Sequence, residues 1–359
     1  MQPKFLLPLV VALAAWAQTL TDVLASQNHT LSTLIGLVQQ QPELLRTLAG
    51  ASDITVLAPS NEAFSKLLAD PAVASAVQST PSLVPALLAY HVLKGTFYAS
   101  ELTGLTAGDF VPTYLANNAP YSTVSGGQVV GVKGENGGVT VFSGNGASAK
   151  VTGTNFNFTG GTMHIIDTVL SIPPNLTVAL AQGNLGSLAG AATRANLVQP
   201  LSGIQELTLF APNNEAFAAV ADVAAGLTIE QLTAVLGYHV LNGTAIYSSD
   251  ITDGARVTTI QGSGVTLTIK GGSVFVNKAK VVKADVLVKN GVVHVIDGVL
   301  IPDGLSGTTP NPSTTRTTTG TARATETGSV VPAMGATFGK RAVWAAALLG
   351  GIVALVNCM

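Results

Sequence analysis

The chain is poor in charge, in aromatics and above all in cysteine. Its 359 residues include one cysteine, Cys358, second from the end. A disulfide framework and a cysteine-ligated metal site are therefore excluded. Charged residues make up 10% of the chain, against about a quarter in an ordinary globular protein, so Ser, Thr, Asn, Gln and Gly must cover the folded surface. A formal net charge of -2 provides no overall basic field, and nucleic acid is not an expected partner. Aromatics at 5% argue against an extended base-stacking platform. What is abundant is apolar. Hydrophobic residues reach 47%, enough for real cores, and 38 glycines punctuate them. Global disorder is thereby excluded.

Both ends read as processing segments. Residues 1–17, MQPKFLLPLVVALAAWA, carry Lys4, a short apolar stretch, and Ala15 and Ala17 at the -3 and -1 positions of a cleavage site. This pattern predicts a secretory signal peptide, too short for a spanning helix. At the other end, Ala342 to Val356 is uncharged, short and rich in Ala and Gly, with almost nothing after it. Small residues, a polar spacer and an apolar tail predict a GPI-attachment signal. Gly328 is the expected attachment residue and Ser329 the alternative, leaving 329–359 as the removed propeptide. Residues 304–328 are dominated by Thr, with Pro310 and Pro312, and suit an O-glycosylated stalk. A single-span anchor and an unmodified linker are the competing readings of these two segments.

Between the ends, one unit is written twice. TVLAPSNEAF (55–64) returns as TLFAPNNEAF (208–217), LLAYHVLKGTF (87–97) as VLGYHVLNGTA (235–245), and GTMHIIDTVLSIP (161–173) as GVVHVIDGVLIP (291–302). The spacing between copies shrinks along the chain, so the first copy carries insertions, expected within Gly108–Gly146. A period this long means two globular domains and not a solenoid. The expected division is 18–173 and 174–303, with Pro173-Pro174 at the boundary.

Locally, Thr55–Leu57 and Thr208–Phe210 read as short buried strands ended by Pro59 and Pro212. Ser60-Asn61 and Asn213-Asn214 can cap the helices that follow. Thr228 to Gln231 has the form of a capping box. Residues 256–282 alternate Val, Thr and Ile between glycine turns and predict hairpins. A helical first half and a mostly antiparallel sheet make each copy α+β.

The three repeated blocks resemble the fasciclin (FAS1) domain, over roughly Thr21 to Pro302. The resemblance implies two tandem wedge-like β-sandwiches with helices packed on them, and a role in cell adhesion or matrix organisation. The flanking signal peptide, stalk and GPI signal resemble those of anchored fasciclin-like surface glycoproteins. Partners would then be cell-surface, wall or matrix glycoproteins or polysaccharides, with the membrane reached through a lipid on its outer face.

Candidate chemistry is thin. His91, His164, His239 and His294 recur in both copies. His164 and Asp167, like His294 and Asp297, lie three apart on a strand and face opposite ways, so neither pair forms a dyad. The expectation is that these histidines bond buried backbone groups, with Tyr90 and Tyr238 packed beside them. No nucleophile elbow, carboxylate pair or metal-ligand cluster stands out, and no cofactor is expected. Asn28, Asn157, Asn175 and Asn242 begin N-x-S/T sequons. Lys283 to Leu287 resembles a segment linked to integrin binding in some animal fasciclin proteins, which marks Asp285 and Leu287 as possible contacts. The alternative is that Asp285 caps a turn and Leu287 packs inward. The first copy has Thr152 to Asn155 there and lacks the acid. Adhesion or wall organisation is thus the expected function, with a polysaccharide- or small-apolar-ligand carrier as the competing reading.

Overall fold

A computed structural model describes residues 18–116 and 120–303. The segments expected to be a signal peptide and a stalk, and the expected attachment residues Gly328 and Ser329, lie outside the described residues. The first copy runs α1 (Leu20–Ser26), α2 (Asn28–Gln39), α3 (Pro42–Ala49), β1 (Ile54–Pro59), α4 (Asn61–Leu68), α5 (Pro71–Ser79), α6 (Leu83–Tyr90), β2 (Val92–Lys94) and α7 (Ala99–Gly104). Five strands follow: β3 (Asp109–Pro112), β4 (Val129–Glu135), β5 (Gly138–Phe142), β6 (Ser148–Phe158) and β7 (Gly161–Ile166). The second copy repeats the plan. It has α8 (Leu176–Gln182), α9 (Gly186–Arg194), α10 (Val198–Gly203), β8 (Leu207–Pro212), α11 (Asn214–Ala219), α12 (Ala221–Gly226), α13 (Ile229–Gly237) and β9 (Val240–Leu241). A 3-10 turn at Ser248–Asp250 takes the place of α7. It leads to β10 (Arg256–Thr258), β11 (Gly264–Lys270), β12 (Ser273–Val276), β13 (Ala279–Val288) and β14 (Gly291–Ile296).

Each copy hydrogen-bonds seven strands in one order, β2-β1-β7-β6-β5-β4-β3 and β10-β11-β12-β13-β14-β8-β9. The parallel pairs are β1–β7 and β8–β14, the motif strands of the first and third blocks. All six residues of β1 and of β8 are buried, as expected of strands covered on both faces. Ser60 and Asn213 cap the next helix, accepting from Ala63 N at 3.2 Å and Ala216 N at 2.8 Å. Asn61 and Asn214 turn away from that task. Their Oδ1 atoms accept from Thr33 N (2.9 Å) and Ser187 N (3.0 Å), tying the helix start to the preceding helices. The capping box at Thr228 forms with Gln231.

Gly161 and Gly291 open the last strand of each copy. A Cβ at either would collide with the carbonyl oxygen of the neighbouring parallel strand, Ile54 O or Leu207 O. The glycine that starts both repeated HxID blocks is therefore set by strand-to-strand approach.

Contacts divide the chain into two compact units. Among the described residues, one holds 18–105 with Gly134–Thr140 and Ala149–Val169; the other holds those of Thr106–Lys133, Val141–Ser148 and 170–303. The second unit thus includes a segment of the first repeat. In it, β14 separates two apolar layers. Val293 and Val295 join Leu180, Leu188, Leu209 and Leu236 beneath the helices. Ile296 joins Val265, Leu267 and Val276 on the other face. Next to this second layer, Val129 packs with Tyr247, Leu287 and Val292, with Phe110 stacked on Tyr247 at 4.4 Å between ring centroids. Gln128 Nε2 donates to Val288 O (3.2 Å), Lys289 O accepts from Thr123 N (3.1 Å), and Glu206 accepts from Ser125 N. Residues 113–128 link β3 to β4 where residues 259–263 link β10 to β11, so the expected insertion falls in this strap.

Candidate functional site

All four recurrent histidines are buried, His91 and His239 at the joints between helix and sheet and His164 and His294 within the last strands. His91 ends α6, with Nδ1 2.7 Å from Leu87 O; His239 follows α13, with Nδ1 2.8 Å from Val235 O. His239 Nε2 accepts from Leu300 N at 2.9 Å, so Nδ1 carries the proton and the ring is neutral. Burial pushes both imidazoles down to about 4, against the opposing pull of those carbonyl bonds. On the last strands the roles of the nitrogens reverse. His164 Nε2 donates to Phe97 O (2.8 Å) while Nδ1 accepts from Asn155 N (3.3 Å). His294 Nε2 donates to Ile246 O (2.8 Å) while Nδ1 accepts from Asp285 N (3.3 Å). Burial lowers the His164 pKa, again opposed by its carbonyl partner.

The same logic extends to residues that were not singled out from the sequence. Thr55 Oγ1 donates to Gly95 O (2.7 Å) and accepts from Phe97 N (2.8 Å). Thr208 Oγ1 donates to Thr244 O (2.7 Å) and accepts from Ile246 N (2.9 Å). In both copies a buried Thr and a buried His hold the same strap of backbone after the YH block. Asn155 and Asp285 complete the device. Both adopt positive φ, 59° in each case, at bulges of β6 and β13. Asn155 Oδ1 accepts from Ala99 N at the start of α7 (2.9 Å), and Asp285 Oδ1 accepts from Ser248 N (2.8 Å). The acid missing from the first copy is therefore replaced by an amide in the same place. The signal was the nine-residue step from Asn155 to His164, matched from Asp285 to His294.

No dyad is assembled. Asp167 and Asp297 leave the histidines and accept from Lys150 N (2.8 Å) and Lys280 N (2.7 Å). Tyr90 and Tyr238 are buried, and Tyr238 OH donates to Gly264 O (3.1 Å). Leu287 is 3% exposed, inside the cluster with Val129 and Tyr247, and the Asp285 carboxylate also takes the Ser248 hydroxyl. Among the described residues, no group of three or more His, Cys, Asp and Glu is placed to hold a metal ion. An apolar pocket between α11, α12, α13 and Val299–Ile301, touching His239, has a volume of ≈ 30 Å³, room for little more than a water. Asn28, Asn157, Asn175 and Asn242 are all exposed. Asn175 caps α8 through Oδ1 (2.9 Å to Val178 N), which leaves its Nδ2 available.

Comparison with known proteins agrees with this duplicated scaffold. The family model of the Fasciclin domain matches residues 29–173 and 183–302. A fasciclin-like arabinogalactan protein from Arthroderma benhamiae is 31% identical over 77% of this chain and 65% of its own length. The chain thus spans just under two thirds of that relative. The fasciclin-like arabinogalactan protein elcF from Phaeosphaeria nodorum is 32% identical over 79% of this chain and 88% of its own. Human periostin is 31% identical over 73% of this chain and 30% of its own. A solved FAS1 domain pair from the insect cell adhesion molecule Fasciclin I aligns at 20% identity with a TM-score of 0.37, covering 78% of this chain and 99% of that one. The chain belongs to the fasciclin domain family and carries two FAS1 domains in tandem.

Proposed function

We propose that this chain is a GPI-anchored extracellular glycoprotein that acts in cell adhesion or in wall or matrix organisation, and that it catalyses no reaction. The observation that carries the reading is the fate of the recurrent polar residues. In both copies the histidines, threonines and Asn155 or Asp285 spend hydrogen bonds on backbone groups of the same fold. They therefore serve as tethers of the fold, and Asp285 and Leu287 serve with them rather than as contacts. Function falls to the outer surface. Four exposed sequon asparagines support N-glycosylation, and the names of the fungal relatives support a surface glycoprotein. Attachment at Gly328, or Ser329, would place both domains above the membrane on the 304–328 stalk.

A surface with few charges and few aromatics favours weak single contacts, and clustering can raise avidity by about 10²–10⁴ over single-site affinity. The test compares residues 18–306 free in solution with the same chain arrayed on beads. Adhesion requires that only the array captures cells, wall material or other beads. Equal binding by both forms, saturable by a small molecule, would promote the carrier. Release of the native protein from intact cells by phosphatidylinositol-specific phospholipase C tests the anchor; a mature protein that retains Trp344 contradicts it.

A further inference from the structure

The two copies differ sharply in where they put positive charge. Residues 106–160 of the first copy hold Lys133 and Lys150 against Asp109 and Glu135. The matching stretch of the second copy, 255–289, holds Arg256, Lys270, Lys278, Lys280, Lys283 and Lys289 against Asp285 alone. A protein with 17 basic residues has gathered six of them in one set of hairpins.

The strands place them together. Val257, Val265, Leu267, Val276 and Ala279 point into the apolar layer inside the second unit. Strand alternation sends Arg256, Thr266, Thr268, Lys270, Phe275 and Lys280 to the opposite face. Register then sets Thr268, Phe275 and Lys280 side by side across three strands, with Arg256 beside Thr266. The Arg256 side chain lies flat over Gly264, where an added Cβ would sit 2.7 Å from Nε. Arg256, Lys270, Lys278, Lys280 and Lys283 are all exposed, and among the described residues none forms an ion pair. Three acids lie nearby, Asp253, Asp285 and Asp297, each accepting from a backbone amide, so the six cations outnumber them two to one. Four strands spaced about 4.8 Å apart give a face about 14 Å wide. It carries cations at its edges, a half-buried Phe275 ring near its centre and hydroxyls between them.

We propose that this outer sheet face of the second FAS1 domain binds an anionic polysaccharide, a polymer of uronic acid or similarly charged sugars. Separated lysines and an arginine match carboxylates repeated along a chain, the phenyl ring offers an apolar surface to a sugar face, and threonines meet hydroxyls. The inference uses the extracellular reading only for the source of the polymer.

The experiment is affinity electrophoresis of the whole secreted protein through gels containing polygalacturonate. Retardation is expected, lost near 1 M NaCl, where the Debye length is about 3 Å. Arg256→Gln, Lys270→Gln and Lys280→Gln combined should weaken binding about tenfold, consistent with three exposed charge contacts. Its melting temperature should stay that of the parent, and Lys66→Gln, on a helix of the first copy, should bind normally. The proposal is overturned by absence of retardation, by equal retardation in neutral dextran, or by a triple variant that binds as the parent does. Tighter binding to duplex DNA or to phosphatidylserine vesicles than to polygalacturonate would also overturn it. Failure here leaves bead capture by the array untouched. Conversely, failed capture with retained polygalacturonate binding removes the adhesion reading alone.

Discussion

The first and second copies share the polar residues that tie their backbones together and differ elsewhere on their surfaces. Thr55 and Thr208, His164 and His294, Asn155 and Asp285, and Asp167 and Asp297 make the same bonds in both. By contrast, the β3–β4 strap belongs to the first copy and the row of basic residues to the second. A polar group kept in place through duplication, with its bonds spent on backbone, is a requirement of the fold. What distinguishes the copies is free to serve recognition.

Acid should strain both copies together. His91 and His239 are held neutral, with pKa values near 4 against an ordinary 6.5. Between those values the unfolded chain binds a proton that the folded chain refuses, so stability falls as pH drops from about 6.5 to 4. Each histidine contributes about 3 kcal/mol across that window. Thermal melts from pH 7 to 4 should show the decline, and a flat profile would separate these rings from their buried setting. Next in size is the glycine that starts the last strand. Gly161→Ala and Gly291→Ala should each cost about 3 kcal/mol through collision with the neighbouring carbonyl, seen as lost secretion. Tolerance in one copy alone would break the equivalence.

Smaller effects sharpen the differences. Gln128→Ala leaves Val288 O without its side-chain donor and should cost about 1–3 kcal/mol. Hydrogen exchange should rise in β13 and β14 but not in β7. The smallest change is Asp285→Asn, which copies what Asn155 does in the first repeat. It should cost less than about 1 kcal/mol, whereas Asp285→Ala also loses the residue type that tolerates positive φ. Equal costs in denaturant titrations would end the analogy.

The duplication, the buried motif strands and the Thr228 capping box were legible because each is a local pattern. So was the separation of His164 from Asp167, which follows from strand alternation. The docking of β3 and the strap was not: Phe110 and Gln128 find Tyr247 and Val288 through tertiary packing, which no local periodicity announces. Asn155 does not announce itself as the counterpart of Asp285 because it is no acid, while the bulge asks for a side chain that accepts a bond and tolerates positive φ. The basic face was hidden by the near-neutral total, since only register shows which lysines share a face.

The central claim is that the recurrent histidines serve the fold and the surface serves function. It is tested most directly by measuring melting and bead capture on one variant, His239→Ala. Loss of the ring opens a cavity and leaves Leu300 N without its acceptor, at a cost of about 2–4 kcal/mol. The account predicts a lowered melting temperature with capture per folded molecule unchanged. A variant that melts like the parent yet no longer captures would contradict it and make His239 a working contact.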